Sequence, residues 1–244
     1  MWKCSKTTTC LAWGVERRSD TQQAIGELCR EQVASPSCRK TARGEADFPT
    51  LKNAYLWAFF DIISRMDILA KNLKKLLKQS LKKGKFILTS GKNSNYYLNG
   101  RNVTLAPEGA YGSANLIFKI IKKNKITAIG GLTVGADPLA GAIAYLAHIK
   151  KYPLKTFILR KEPKSHADKK QIEGPELDKK DVILIIDDIA TTGKSLIESA
   201  RTLRTLGFKV TKALVLVDRE EGAKENLNKI GIELKSVFTL RDLL

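Results

Sequence analysis

No cysteine follows Cys38. All four thiols, Cys4, Cys10, Cys29 and Cys38, lie in the first 38 residues, and none forms a Cys-x-x-Cys pair. Their spacing matches no zinc pattern. The rest of the chain depends on no disulfide, which predicts a reducing, cytoplasmic setting. Long apolar runs are also missing. Ala54 to Ile63 follows Asn53, is broken by Asp61, and is too short to span a bilayer. The N-terminus lacks the charged-then-apolar order of a secretory signal, so no membrane partner is expected. There is no Gly-x-x-x-x-Gly-Lys-Ser/Thr either: Gly193-Lys194-Ser195 has Asp188 where the first glycine would stand. That excludes a phosphate-loop NTPase.

Acidic residues are scarce. Of 244 residues, 43 are Lys or Arg and 25 Asp or Glu, for a net charge of +18. Residues 1–65 carry 10 basic and 7 acidic residues, and residues 66–244 carry 33 and 18. Such an excess attracts nucleic acid or small polyanions. Yet the lysines from Lys71 to Lys83 interleave with Leu69, Leu73, Leu76, Leu77 and Leu81, the pattern of an amphipathic helix with a solvated basic face. No basic ribbon interleaved with aromatics and no nucleic-acid module is present. Nucleic acid is not the expected partner.

The length allows one large domain or a domain with an appendage. Residues 1–65 hold all the cysteines and all the tryptophans (Trp2, Trp13 and Trp57), with weak periodicity. At Met66 a clean helical pattern begins, with Asp67 placed as an N-cap. The expectation is a domain over 66–244. Residues 1–65 then form an extension, poorly ordered or arising from a misassigned start, the alternative being a targeting or partner-binding segment.

What is present converges on Val182-Ile183-Leu184-Ile185-Ile186-Asp187-Asp188-Ile189-Ala190-Thr191-Thr192-Gly193-Lys194-Ser195. The aliphatic run reads as a strand buried on both faces, at the centre of a parallel sheet. Two carboxylates end it, where open α/β sheets place their ligand crevice. A turn of small and hydroxyl residues then opens a helix to about Leu206 and offers backbone N–H groups to an oxyanion. Acids beside a phosphate seat suit a sugar phosphate. An N-cap at an ordinary strand-to-helix turn would explain a lone Asp, but not two acids followed by this turn.

The stretch resembles the phosphoribosyl-pyrophosphate signature of the type I phosphoribosyltransferases, where the acid pair meets the ribose hydroxyls and the turn holds the 5′-phosphate. Three further segments resemble the orotate branch of that family. Ser90-Gly91-Lys92-Asn93-Ser94, between two short strand patterns, leads into Tyr96-Tyr97, as in the hood hairpin beside the pyrimidine; cross-strand packing is the plainer reading of the tyrosines. Arg101 adds charge there or braces the hood. Gly130-Gly131-Leu132-Thr133-Val134-Gly135-Ala136-Asp137-Pro138, after an expected strand at Ile126 to Ile129, is similar to the family's pyrophosphate loop. Glycine freedom at a tight turn is the alternative. Arg160-Lys161-Glu162-Pro163-Lys164-Ser165-His166, ending in Ile172-Glu173-Gly174, resembles the mobile catalytic loop, although a charge run is usually only a solvated loop.

The resemblance covers about residues 66–244. It implies an α/β fold of the type I phosphoribosyltransferase kind: a central, mostly parallel sheet flanked by helices, with a small N-terminal hood. It implies transfer of phosphoribosyl from phosphoribosyl pyrophosphate to orotate, giving orotidine 5′-phosphate and pyrophosphate in pyrimidine synthesis. Catalytic roles fall to Lys164, His166, Arg160 and Lys161. His166 is the side chain suited to lend a proton near neutral pH. Phosphoribosyl pyrophosphate would be bound by Asp187, Asp188, Ile189, Ala190, Thr191, Thr192, Gly193, Lys194 and Ser195, with Thr133, Val134 and Gly135. Orotate would be bound by Tyr96, Tyr97, Thr191 and Arg219, whose fork suits a planar carboxylate. Mg²⁺ is expected, held mainly by phosphoribosyl pyrophosphate and reaching Asp187 and Asp188 through water. A homodimer sharing the loop between subunits is expected too. The chain departs from the family pattern in having Thr89 where some relatives carry a basic residue, Val134 and Gly135 where some carry lysine, and Ala167 where glycine often follows the histidine. Ending at Leu244, the chain is expected to carry no fused decarboxylase. Rival readings are a purine phosphoribosyltransferase and a non-catalytic, nucleic-acid-binding sensor of phosphoribosyl pyrophosphate.

Overall fold

The computed structural model describes residues 51–87, 93–161 and 171–244. The chain divides into two compact units, Met1–Ala58 and Phe59–Leu244, and the description below concerns the second. The cysteine-bearing segment, the turn at Ser90-Gly91-Lys92 and the loop residues Lys164 and His166 lie outside the described residues.

Helix α1 spans Leu51–Ser80. Asp67 therefore sits inside a helix and does not cap one. The reason is in the sequence: the nearest helix breakers are Pro49 and Gly84, so nothing between them forces an end at Met66. The expected leucine stripe is real. Leu73 and Leu77, at i and i+4, are fully buried, each worth about 1.5–3 kcal/mol. They pack with Leu98, Val103, Leu216, Val217 and Leu243. Strands β1 (Leu81–Ile87) and β2 (Asn93–Leu98) pair antiparallel as the hood hairpin, with a bulge between Lys83 and Phe86. A short helix α2 (Arg101–Thr104), not foreseen from sequence, follows.

Helix α3 (Pro107–Lys123) begins with proline at its first turn and Glu108 near its positive end, where fixed φ and the helix dipole favour them. Then come β3 (Ala128–Leu132), α4 (Asp137–Ile149), β4 (Lys155–Leu159), the two-residue β5 (Ile172–Glu173) and β6 (Ile183–Ala190). The chain closes with α5 (Lys194–Thr205), β7 (Val210–Asp218), α6 (Ala223–Asn228), β8 (Glu233–Thr239) and α7 (Leu240–Leu243). The sheet order is β5-β4-β3-β6-β7-β8. Every pair is parallel except β4 with β5. This is the α/β architecture expected, and each face carries its own core. Leu196, Ala200 and Leu203 of α5 pack on one face with Phe157 and Val215. Ile117 and Ile121 of α3, with Leu139 and Ile143 of α4, pack on the other.

Strand β3 runs further than the sequence suggests and takes in Gly130 and Gly131. These glycines are needed by the sheet. A Cβ at Gly130 would strike the Phe157 carbonyl oxygen, and one at Gly131 the Ile186 carbonyl oxygen. The loop between β3 and α4 is therefore only residues 133–136. Because β3 leads outward to β4 and β6 returns on its other side, the strand order reverses between β3 and β6. Open α/β sheets bind ligands at that switch point, beyond the strands' carboxyl ends.

Candidate active site

Strand β6 carries the acid pair to that point. Asp187 is 7% exposed, and both of its oxygens are held. Ser195 donates to Oδ2 at 2.6 Å and the Asp188 amide to Oδ1 at 2.9 Å. The Ile189 amide donates to Asp188 Oδ1 at 2.8 Å. Burial raises the Asp187 carboxyl to about 7, and the neighbouring Asp188 charge pushes the same way. Burial raises Asp188 too, against hydrogen bonds and the charge of Arg101. Two acids so placed are stabilised by any ligand that brings hydroxyl donors or positive charge.

Backbone from two other segments is pressed against this pair. A Cβ on Gly135 would meet Asp187 Oδ1, and one on Gly100 would lie 2.7 Å from Asp188 Oδ2. The 133–135 loop thus belongs to the same site as the acids. Gly100, between β2 and α2, is a contact the sequence reading missed; its signal was a glycine directly before Arg101 at the end of the hood. The Thr133 amide is spent on the Leu159 carbonyl at 3.0 Å, while those of Val134 and Gly135 make no hydrogen bond among the described residues. Val134 is 55% exposed. The Thr133–Val134 peptide is cis.

The turn after β6 leaves a run of backbone N–H groups open. Among the described residues, no acceptor is bound by the backbone N–H groups of Thr191, Thr192, Gly193, Lys194 and Ser195, as expected where a helix starts. Gly193 has φ +78, which a side chain rarely tolerates. Asn226 Nδ2 donates to the Thr192 carbonyl at 3.0 Å and steadies the turn from α6.

At the 133–136 loop opens a cleft of about 560 Å³ lined by Thr133, Asp137, Ile158, Arg160, Lys161 and Glu173. Asp137 Oδ1 is buried without a hydrogen bond, and burial followed by the Asp187 charge raises this carboxyl. Arg160 Nε meets Glu173 Oε1 at 2.8 Å, so part of its charge is already compensated. Lys161 is exposed at the rim. Among the described residues, no group of three or more His, Cys, Asp and Glu side chains is arranged to hold a metal ion.

Arg219 lies just past the end of β7, beside the hood. Its side chain is 2% exposed and meets Glu221 at 2.8 Å through Nε. Its Nη2 donates to Ser94 Oγ at 2.9 Å and to the Tyr96 carbonyl at 3.2 Å. The tyrosines are separated. Successive strand residues face opposite sides, so Tyr96 shares the face of Ser94 and buried Leu98. Tyr97 is 38% exposed on the other side, against Phe86 with ring centroids 5.4 Å apart.

The chain matches the family model described as "Phosphoribosyl transferase domain" over residues 101–238. It is 40% identical to an orotate phosphoribosyltransferase of Aquifex aeolicus over 176 residues, covering 72% of this chain and 96% of the relative. With one from Nostoc sp. it shares 36% identity, covering 71% and 84%. In structure it is similar to the Mycobacterium tuberculosis orotate phosphoribosyltransferase in complex with phosphoribosyl pyrophosphate. The TM-score is 0.60 at 28% identity, covering 72% of this chain and 98% of that one. An acid pair at the switch point, an open amide turn and a hood tied to a buried arginine are thus found in a chain with these relatives: it belongs to the orotate phosphoribosyltransferases.

Proposed function

We propose that the protein transfers phosphoribosyl from phosphoribosyl pyrophosphate to orotate, releasing pyrophosphate and forming orotidine 5′-phosphate. The observation that carries the reading is the junction of the acid pair, the 133–135 loop and the open amides of 191–195 within one crevice. The turn holds the 5′-phosphate, and that remote binding orients the reacting carbon. Asp187 and Asp188 accept from the ribose hydroxyls. The amides of Val134 and Gly135 face the pyrophosphate, with Lys161 and Arg160 at the cleft. Lys164 and His166, on the loop that follows, neutralise and protonate the departing pyrophosphate. Displacement at the anomeric carbon runs through an oxocarbenium-like state. Arg219, with Thr191, Tyr96 and Tyr97, receives orotate.

Mg²⁺ fits this donor set. Carboxylate oxygens suit a hard cation that keeps its waters, and Asp187 and Asp188 would hold it through water while phosphoribosyl pyrophosphate supplies the inner ligands. Its chemistry is charge neutralisation on the leaving group. The working form is a cytoplasmic homodimer in which each catalytic loop covers the neighbouring site. The catalytic unit is 66–244, with Met66 the native start, and residues 1–65 are dispensable for turnover. The 176 residues aligned with the Aquifex relative come close to the length of this unit.

The test is Mg²⁺-dependent loss of orotate in the presence of phosphoribosyl pyrophosphate, for the full chain and for residues 66–244, with adenine and guanine as competing bases. Turnover of orotate alone, by both proteins, is expected. Turnover of a purine base would replace the substrate. No turnover of any base by a folded protein that still binds phosphoribosyl pyrophosphate would replace the enzyme with a sensor.

A further inference from the structure

The residue pattern around Ser94, two positions before Tyr96 in β2, gives that serine no role; its hydrogen bonds do. Ser94 Oγ accepts from Arg219 Nη2 at 2.9 Å and donates to the Tyr96 carbonyl at 2.9 Å. The Tyr96 amide donates back to Ser94 Oγ at 3.2 Å. One hydroxyl therefore closes a small ring through the hood strand and fastens it to a guanidinium from the far end of β7.

Arginine has a planar fork, and which part of it points at a ligand depends on what occupies the rest. Here Glu221 takes Nε, while Ser94 and the Tyr96 carbonyl take Nη2. Nη1 has no acceptor among the described residues. The fork is held on one side by a carboxylate and on the other by the hood, so only one nitrogen is left to meet a ligand. A guanidinium buried this deeply could otherwise turn fully toward Glu221, since charge pairing in a site of low polarity is strong.

We propose that Ser94 is a positioning residue for base recognition: its hydroxyl holds Arg219 in the orientation that presents Nη1, and so couples the hood hairpin to selection of a carboxylated pyrimidine. The proposal rests on the reading that Arg219 meets the orotate carboxylate. Ser94 touches no reacting atom and acts only through Arg219. It should therefore matter to orotate and not to phosphoribosyl pyrophosphate, whose seat is built from β6 and the 133–135 loop.

The experiment is steady-state kinetics on the full chain with four variants: Ser94→Ala, Ser94→Thr, Arg219→Gln and the double variant Ser94→Ala with Arg219→Gln. Loss of a hydrogen bond to a charged group gives about a tenfold change. Ser94→Ala is expected to raise KM for orotate about tenfold while KM for phosphoribosyl pyrophosphate stays within about twofold. Ser94→Thr, which keeps the hydroxyl, should restore the orotate value. In the Arg219→Gln background the serine change should add less than about twofold, because its partner is gone. An unmoved KM for orotate in Ser94→Ala, or the same factor in both backgrounds, would overturn the proposal. If Arg219→Gln itself leaves KM for orotate unmoved, the reading beneath falls and takes the proposal with it. Should Ser94→Ala not fold, Ser94→Cys keeps the shape and weakens the hydrogen bond. It is expected to show the same split at smaller size, and its absence counts against the proposal equally.

Discussion

The two halves of the crevice are built on different principles. The side proposed for phosphoribosyl pyrophosphate is largely backbone: the open amides of 191–195, and Gly135 and Gly100 pressed on an acid pair fixed by its own strand. The side proposed for the base is a bracket built mainly of side chains. There one arginine joins residues 125 positions apart in the chain, from Ser94 to Arg219. A backbone site demands particular residues in unbroken order, whereas a bracket needs only that distant side chains meet. The first tolerates little substitution at its glycines. The second should fail gradually, one hydrogen bond at a time.

The largest effect should come from adding a single carbon to the backbone side. Gly135→Ala places its Cβ on Asp187 Oδ1. That carboxylate cannot turn away, since Ser195 and the Asp188 amide hold its two oxygens. Displacing it should lower kcat/KM by about 100-fold or more, as misplacements near 1 Å do, with the fold intact by circular dichroism. A loss under about fivefold would show that the acid pair is less rigid than its hydrogen bonds imply.

A smaller effect separates the two halves by pH. The folded Asp187 carboxyl lies near 7, above its ordinary 3.8. Between those values the folded chain binds more protons than the unfolded one, so stability contributed by this group is present at low pH and declines as pH rises toward 7. Asp187→Asn removes the titration. The variant should gain on the parent by at least about 1 kcal/mol, or about 2–4 °C in Tm, between pH 5 and pH 8. Arg219→Gln should show no such pH-dependent gain. Equal pH slopes for Asp187→Asn and the parent would remove the buried-acid account.

The same contrast explains what could be read without coordinates. The α/β order, the central strand and the acid-plus-turn motif were legible because one contiguous run, Val182 to Ser195, encodes them. So was the leucine stripe of Leu73 and Leu77, through its helical period. The helix continuing through Asp67 was not, because a capping residue is a local signal and an absence of breakers outweighs it. Nor was the inclusion of Gly130 and Gly131 in β3, since their requirement comes from the Phe157 and Ile186 carbonyls across the sheet. Tyr96 and Tyr97 read as a pair from sequence, but strand alternation divides them. Asn226 carries no local motif, and the segments that contain Ser94 and Glu221 do not show that the two meet on Arg219; only tertiary approach gives these residues their contacts.

The central claim is that binding of phosphoribosyl pyrophosphate needs the acid pair of β6 and does not need the buried arginine beside the hood. Calorimetric binding of phosphoribosyl pyrophosphate with Mg²⁺, without orotate, tests it on three proteins: the parent, Asp188→Asn and Arg219→Gln. The account predicts that Asp188→Asn loses affinity by about tenfold or more and that Arg219→Gln binds as the parent does. Parent-like binding by Asp188→Asn, or an equal loss in Arg219→Gln, would contradict it.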